Sequence, residues 1–228
     1  MPRPRFEKLE PEVRATILAR AAEEFAEHGY EGASYNRIID RSGLSKGAMY
    51  YYFDDKHDLF VTTLQDAVKR LIIDAGSVEE AEDAESFWIA VERWCERSLR
   101  LFRGDPAAVG LLRAFMKNME RGQGSAALAE LRRTGRRYTR AFIAMGRSVS
   151  AIRSDLPEEL LTSVLMSLEE GMDIWIAEHE AEFGDDELTA LARLMASLYR
   201  RVAAPEAPSQ ETTRATARPP RRKKGRTR

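Results

Sequence analysis

Apolar residues recur three and four positions apart along most of the chain from Val13 to Val202, and no alternating strand pattern interrupts them, so the pattern predicts an all-α protein. The first amphipathic segment, RATILARAAEEFAEHGYEGAS, places Val13, Ile17, Ala21 and Phe25 on one face and stops at Gly29. Next, SYNRIIDRSGLSKGAMYYYF reads as two short helices. Ser34 caps the first through Arg41, with Ile38 and Ile39 inward; Gly43 supplies a left-handed turn position; Ser45 caps the second, which runs from Lys46 to Phe53. This is a helix-turn-helix. A longer helix from Asp54 or Asp55 to about Ala75, apolar at Leu59, Phe60 and Leu64, follows it.

The pattern stays helical beyond that point. The acidic stretch Ser77 to Glu85 reads as a solvated loop, and FWIAVERWCERSLRLF as a helix broken by Gly104-Asp105-Pro106. A helix apolar at Leu111, Leu112, Phe115, Met116 and Met119 comes next, then a long one from about Ser125 to Ile152 with an arginine-rich outer face. The last two helices are opened by Pro157 and by Asp185. Both present broad apolar faces, and Leu161, Leu165, Leu168 and Met172 together with Leu191, Leu194, Met195 and Leu198 are expected to form a homodimer interface. Trp88, Trp94, Phe102, Phe115, Met119, Phe142, Met145 and Trp175 would suit an apolar cavity for a small molecule, although such residues at helical spacing also make ordinary core.

Residue types within the helix-turn-helix point to double-stranded DNA. Met49, Tyr52 and Phe53 share one face of the second helix and are assigned to packing. Lys46, Gly47, Ala48, Tyr50 and Tyr51 remain for the other face, where a slim helix start can enter the major groove and tyrosine hydroxyls can reach phosphates. Ser45 stands at the cap beside them. Ser34, Tyr35 and Asn36 at the first helix start, and Lys56 at the start of the next helix, are further candidates for phosphate contact.

The chain from about residue 11 to 64 resembles the tetracycline-repressor (TetR) family of bacterial regulators. The resemblance rests on Ala21, Phe25, Gly29, Tyr30 and Ser34, then Gly43, Leu44, Ser45, Gly47, Met49, Tyr50, Tyr52, Phe53, Lys56 and Leu59. Three positions depart from the family pattern: Ile39 for a small alanine, Arg41-Ser42 for an alanine pair, and Tyr35 for a valine. The resemblance implies an N-terminal three-helix domain containing the helix-turn-helix, followed by a larger helical ligand-binding and dimerisation domain. It further implies pairing through the final two helices, and a small-molecule effector whose binding between the helices lowers DNA affinity. The expected organisation is a flexible N-terminus over 1–10, a DNA-binding domain over 11–56, a ligand-binding and dimerisation domain over 57–203, and a disordered basic tail over 204–228.

Charge and chemistry narrow the function. The net charge is −1, but residues 205–228 hold eight Lys/Arg against two Glu, a contribution of +6 that leaves −7 for the rest. DNA affinity in the body must therefore come from a local surface. No 18-residue apolar run or apolar leader occurs, so the expectation is a cytoplasmic protein without a membrane span. Cys95 falls at core spacing from Val91 and Leu99 and reads as a buried small hydrophobe rather than a redox sensor. His28, His57 and His179 are scattered, so no metal is expected; no phosphate-cradling loop or nucleophile motif suggests a cofactor or an enzyme. The expected function is a ligand-released transcriptional repressor that binds a palindromic operator as a dimer. The alternative is a helical protein-interaction module without specific DNA binding, against which Lys46, Gly47, Tyr50 and Lys56 argue.

Overall fold

The computed structural model describes residues 2, 4–119, 126–179 and 183–206. Among the described residues a 3-10 turn at Phe6–Lys8 precedes nine α-helices: α1 Pro11–Gly32, α2 Tyr35–Arg41, α3 Lys46–Tyr52, α4 Lys56–Ala75, α5 Ala84–Arg103, α6 Pro106–Met119, α7 Ala126–Ser148, α8 Glu158–His179 and α9 Asp185–Ala203. No strand occurs among the described residues. A helix-turn-helix domain is followed by a larger helical domain, all helical as the apolar spacing predicts and arranged as the resemblance implies.

Local chemistry sets the boundaries. The regular part of α1 ends where Gly29 takes φ 65°, and the α2–α3 turn uses Gly43 at φ 69°. Serine hydroxyls cap both short helices: Ser34 accepts from the Arg37 amide at 3.3 Å and Ser45 from the Ala48 amide at 3.1 Å. Asp83 and Ser86 form a reciprocal capping box at the start of α5. The long helix α7 ends at Ser148, four residues short of the expected Ile152, because the chain turns back and the amides of Ala151 and Ile152 both bond the Gly146 carbonyl.

Two apolar cores result. The first joins Ile17, Ala21 and Phe25 of α1 to Ile38, Met49, Phe53, Leu59, Phe60 and Leu64. It also takes in Phe6 from the N-terminus and Ala108, Leu111 and Ala114 from α6. The expected boundaries are therefore corrected. Phe6 is buried against Phe53, with ring centroids 4.7 Å apart, so the segment 1–10 is anchored from Phe6 onward. The N-terminal half of α4 belongs to the first core, so the division at 56/57 falls on the wrong side of it. The second core packs α5, α7, α8 and α9 around Phe87, Val91, Cys95, Ile143, Leu161, Leu165, Ala192 and Tyr199. Val78 is buried in it, which corrects the picture of 77–85 as wholly solvated. From residue 207 onward the expected tail lies outside the described residues.

The two cores meet closely. A Cβ added at Gly110 of α6 would stand 2.6 Å from the Ala26 Cβ of α1, so the two helices approach as near as their backbones permit. From α6, the Arg113 guanidinium donates to the Ala177 carbonyl of α8 at 2.6 and 3.1 Å. The arginine face of α7 is met by α8 carboxylates, with Arg136 and Arg140 on Glu159 and Arg147 on Glu158.

A buried carboxylate ties α1 to α2. Glu24 accepts from the Ser34 amide at 2.8 Å and from the Arg37 guanidinium at 2.7 to 3.1 Å. Burial alone would raise its pKa, yet these bonds hold the carboxyl below its ordinary value. Its stabilising contribution is complete above the usual glutamate range and disappears as pH falls through the lowered folded-state value. Glu24→Ala should lower unfolding free energy by about 2 kcal/mol near pH 7, with the difference from wild type shrinking in acid; thermal melts across pH measure both.

Candidate nucleic-acid interface and the cavity behind it

Helix α3 presents two unlike faces. Met49 is fully buried and Phe53 closes the helix beneath it, whereas Lys46 and Gly47 are exposed, and Tyr50 and Tyr51 keep 44% and 46% of their surface open. Lys46 carries no ion-pair partner among the described residues. Nothing lies within 4 Å of where a Gly47 Cβ would stand, so no neighbour in the fold requires a glycine there. Ala48 is half-buried, and Asn36 is exposed on α2. Together these residues form a narrow polar ridge with an open helix start, and Tyr50 lies beside α2 with its ring edge-on to Tyr35 at 5.3 Å.

Four expected contacts are corrected. The Lys56 ammonium donates to the carbonyls of Tyr30, Glu31 and Ala33 at 2.8, 3.3 and 3.2 Å and lies 4.8 Å from the Tyr30 ring centroid. All three of its protons are engaged in holding the end of α1, so it is not a free phosphate hand. The Tyr35 hydroxyl is buried without a hydrogen-bond partner, and burial pushes its pKa up. A buried hydroxyl cannot meet a phosphate. The Ser34 amide is already given to Glu24, and the hydroxyls of Ser34 and Ser45 serve their own helices.

One residue escaped the sequence reading. Arg5, just before the anchored Phe6, places its guanidinium carbon 4.2 Å from the Tyr51 ring centroid and so adds positive charge beside α3. Only the burial of Phe6 fixes it there, and no periodic signal precedes α1 to reveal this. The α2 arginines are engaged within the fold: Arg37 on Glu24, and Arg41 on Glu23 at 2.6 Å.

Behind this domain, a cavity of about 170 Å³ lies among the end of α4, α5, α7, α8 and α9. Trp94, Phe142 and Met145 line it as expected, joined by Ile72, Val78, Val91, Tyr138, Leu165, Glu169 and Tyr199. The other expected lining residues lie elsewhere. Trp88 is buried against Phe87 in the second core, Phe102 packs on the edge of that core, and Phe115 packs against the first. Trp175 is exposed and stacks on His179, and the Met119 side chain falls outside the described residues. Cys95 is buried and its thiol pKa is pushed up to about 12 by desolvation, so the reactive thiolate is suppressed.

The expected partner face is also corrected. Leu161, Leu165, Leu191 and Met195 are buried within the subunit, and Leu168, Met172 and Leu198 are half-buried. Leu194 alone of that set is largely exposed, at 56%. The large apolar residues left open on these helices are instead Leu160, Val164, Ile174 and Trp175 of α8 and Leu194 of α9. Periodicity marked both sides of these helices as apolar, and only packing chose between them.

Among the described residues no helix is long and apolar enough to cross a membrane, and no cluster of His, Cys, Asp and Glu could hold a metal. Residues 17–63 match the family described as bacterial regulatory proteins, tetR family. The transcriptional repressor AcnR of Corynebacterium glutamicum is 36% identical over 95 residues, 38% of this chain and 50% of AcnR. The matched stretch thus spans about half the length of that relative. A transcriptional repressor of Streptomyces coelicolor is 29% identical over 152 residues, covering 67% of this chain and 69% of that protein. Among solved structures, the fatty acid degradation regulator FadR of Bacillus halodurans superposes with a TM-score of 0.66 at 18% identity, covering 84% of this chain and 95% of that one. FadR of Bacillus subtilis, solved in complex with stearoyl-CoA, gives 0.62 at 17% identity over 81% and 96% of the two chains. The helix-turn-helix domain over residues 17–63 is thus that of the tetR family of bacterial regulatory proteins, and the fold around it is one these solved regulators share.

Proposed function

We propose that this protein is a sequence-specific DNA-binding regulator, a repressor that holds a palindromic operator as a homodimer in the cytoplasm and releases it when a small molecule enters the cavity. The observation that carries the reading is the open start of α3. Lys46, Gly47, Tyr50 and Tyr51 face outward from a helix whose opposite side is fixed by Met49 and Phe53. A helix held so firmly from behind, and left slim in front, fits a major groove. In this reading Lys46 and Ala48 face bases. Asn36, Tyr50, Tyr51 and Arg5 contact the backbone.

A second subunit would seat on the face made by Leu160, Val164, Trp175 and Leu194. Gly171 supports this. It lies within α8, one turn from Trp175, and nothing in the subunit stands within 4 Å of its missing Cβ. A glycine costs such a helix about 1 kcal/mol relative to alanine, and in this reading that cost is recovered where a partner helix packs against it. Two-fold pairing then sets two α3 helices about 34–36 Å apart, one turn of DNA, or a multiple of it.

A gel shift against the region upstream of the coding sequence tests the reading, with loss of the shift in excess nonspecific DNA counting against it. Gly47→Leu should leave the melting temperature within about 2 °C while weakening operator binding at least tenfold, because the added side chain meets open space in the free protein and the groove floor in the complex. Equal binding by this variant would remove α3 from the groove. Val164→Glu combined with Leu194→Glu should yield a folded monomer in sedimentation; a persistent dimer would place the interface elsewhere.

A further inference from the structure

We propose that the cavity selects an organic cation, an alkyl- or arylalkyl-ammonium with an apolar body, and that Glu169 is the group that recognises its charge. This deepens the ligand-release reading above and rests on it. The wall offers the rings of Trp94, Tyr138, Phe142 and Tyr199 and the aliphatic side chains of Ile72, Val78, Val91 and Leu165. Glu169 is the acidic residue in this lining, and no Lys or Arg belongs to it. Among the described residues no cation pairs with Glu169, and no hydrogen bond satisfies its carboxylate. Glu169 is half-buried beside these rings, and this partial loss of solvent pushes its pKa up. An ammonium ligand would supply the missing counter-charge at that spot.

The neighbouring features favour the same sign. On α8, Glu170 is already paired with Arg132 at 3.6 Å and desolvation pushes the Asp173 pKa up, so Glu169 is left as the acid that an entering ligand meets. Aromatic faces attract cations, and one lining ring already does so: the Arg137 guanidinium carbon lies 5.4 Å from the Tyr138 ring centroid. The neutral hydroxyl of Thr139 is turned to the Gly135 carbonyl at 3.0 Å and so competes little for a polar ligand. The rim is braced. Trp94 donates its indole N–H to the Gly76 carbonyl at 3.0 Å, and Arg97 holds the carbonyls of Ala75 and Ser77 at 2.6 and 3.2 Å. The ring that would face the cation is therefore held in place before binding. At about 170 Å³ the cavity accommodates a body on the order of one aromatic ring.

Calorimetric titration of the full chain with 2-phenylethylammonium, 2-phenylethanol and phenylacetate tests the proposal with three probes of one size and three charges. The ammonium should bind at least tenfold more tightly than the alcohol, and phenylacetate should give no signal. In Glu169→Gln that tenfold preference should vanish while the affinity for the alcohol stays within about twofold; the preference in wild type is informative even if the variant misfolds. Equal affinity for ammonium and alcohol, tighter binding of phenylacetate, or no binding of any probe at millimolar concentration overturns the proposal. A gel shift with the same probes separates the two readings. An ammonium that binds with the charge preference but leaves DNA bound preserves the cavity's selectivity and removes ligand release, whereas release by phenylacetate alone preserves release and removes the cationic ligand.

Discussion

The Glu24 carboxylate, out of reach of solvent beneath Arg37, fixes where the helix-turn-helix points. It joins the middle of α1 to the first residue before α2 and to a side chain one turn inside α2, so the two helices cannot rotate independently without leaving a buried charge unpaired. Lys56 performs the matching task at the other end of α1, gathering the last carbonyls of that helix from the start of α4. Between these two ionic anchors, α3 has little freedom except to present its outer face. A helix of only seven residues needs such support, because one that short has no stability of its own.

Helix α6 belongs to both halves of the molecule. Ala108, Leu111 and Ala114 complete the first core, the glycine at 110 lets α6 lie directly on α1, and Arg113 holds the last turn of α8 by a main-chain carbonyl. In the regulator reading, a displacement of α8 by a cavity occupant pulls on that carbonyl, and α6 carries the motion to the helix that orients α3. Close packing makes the transmission stiff: with no side chain at Gly110 to deform, α1 and α6 move together or separate.

The helix-turn-helix was legible because its signals are local. Ser34 and Ser45 as caps, Gly29 and Gly43 at positive φ, and the inward set Ile38, Ile39, Met49 and Phe53 each depend on a few neighbouring residues. The cavity and the partner face were less legible. Trp175 and Trp94 occupy similar apolar stripes, yet one is exposed and the other lines the cavity, and Leu161 and Val164 are separated by less than one helical turn on opposite sides of the burial line. Glu24, which is buried, and Glu169, which lines the cavity, sit in sequence among other acidic residues, and nothing in the spacing distinguishes them.

The amino-acid sequence by itself determined the all-helical class, the positions of the first four helices and the outward residues of α3, since hydrogen-bond caps, glycine geometry and apolar period act within one or two turns. Tertiary structure decided which lysine is spent on a helix end, which tyrosine hydroxyl is sealed from the surface, and which acid faces an aromatic hollow. Those outcomes depend on what a distant segment brings against each side chain, and the energy of a charge or hydroxyl changes by kilocalories with whether that segment supplies a partner, water or neither.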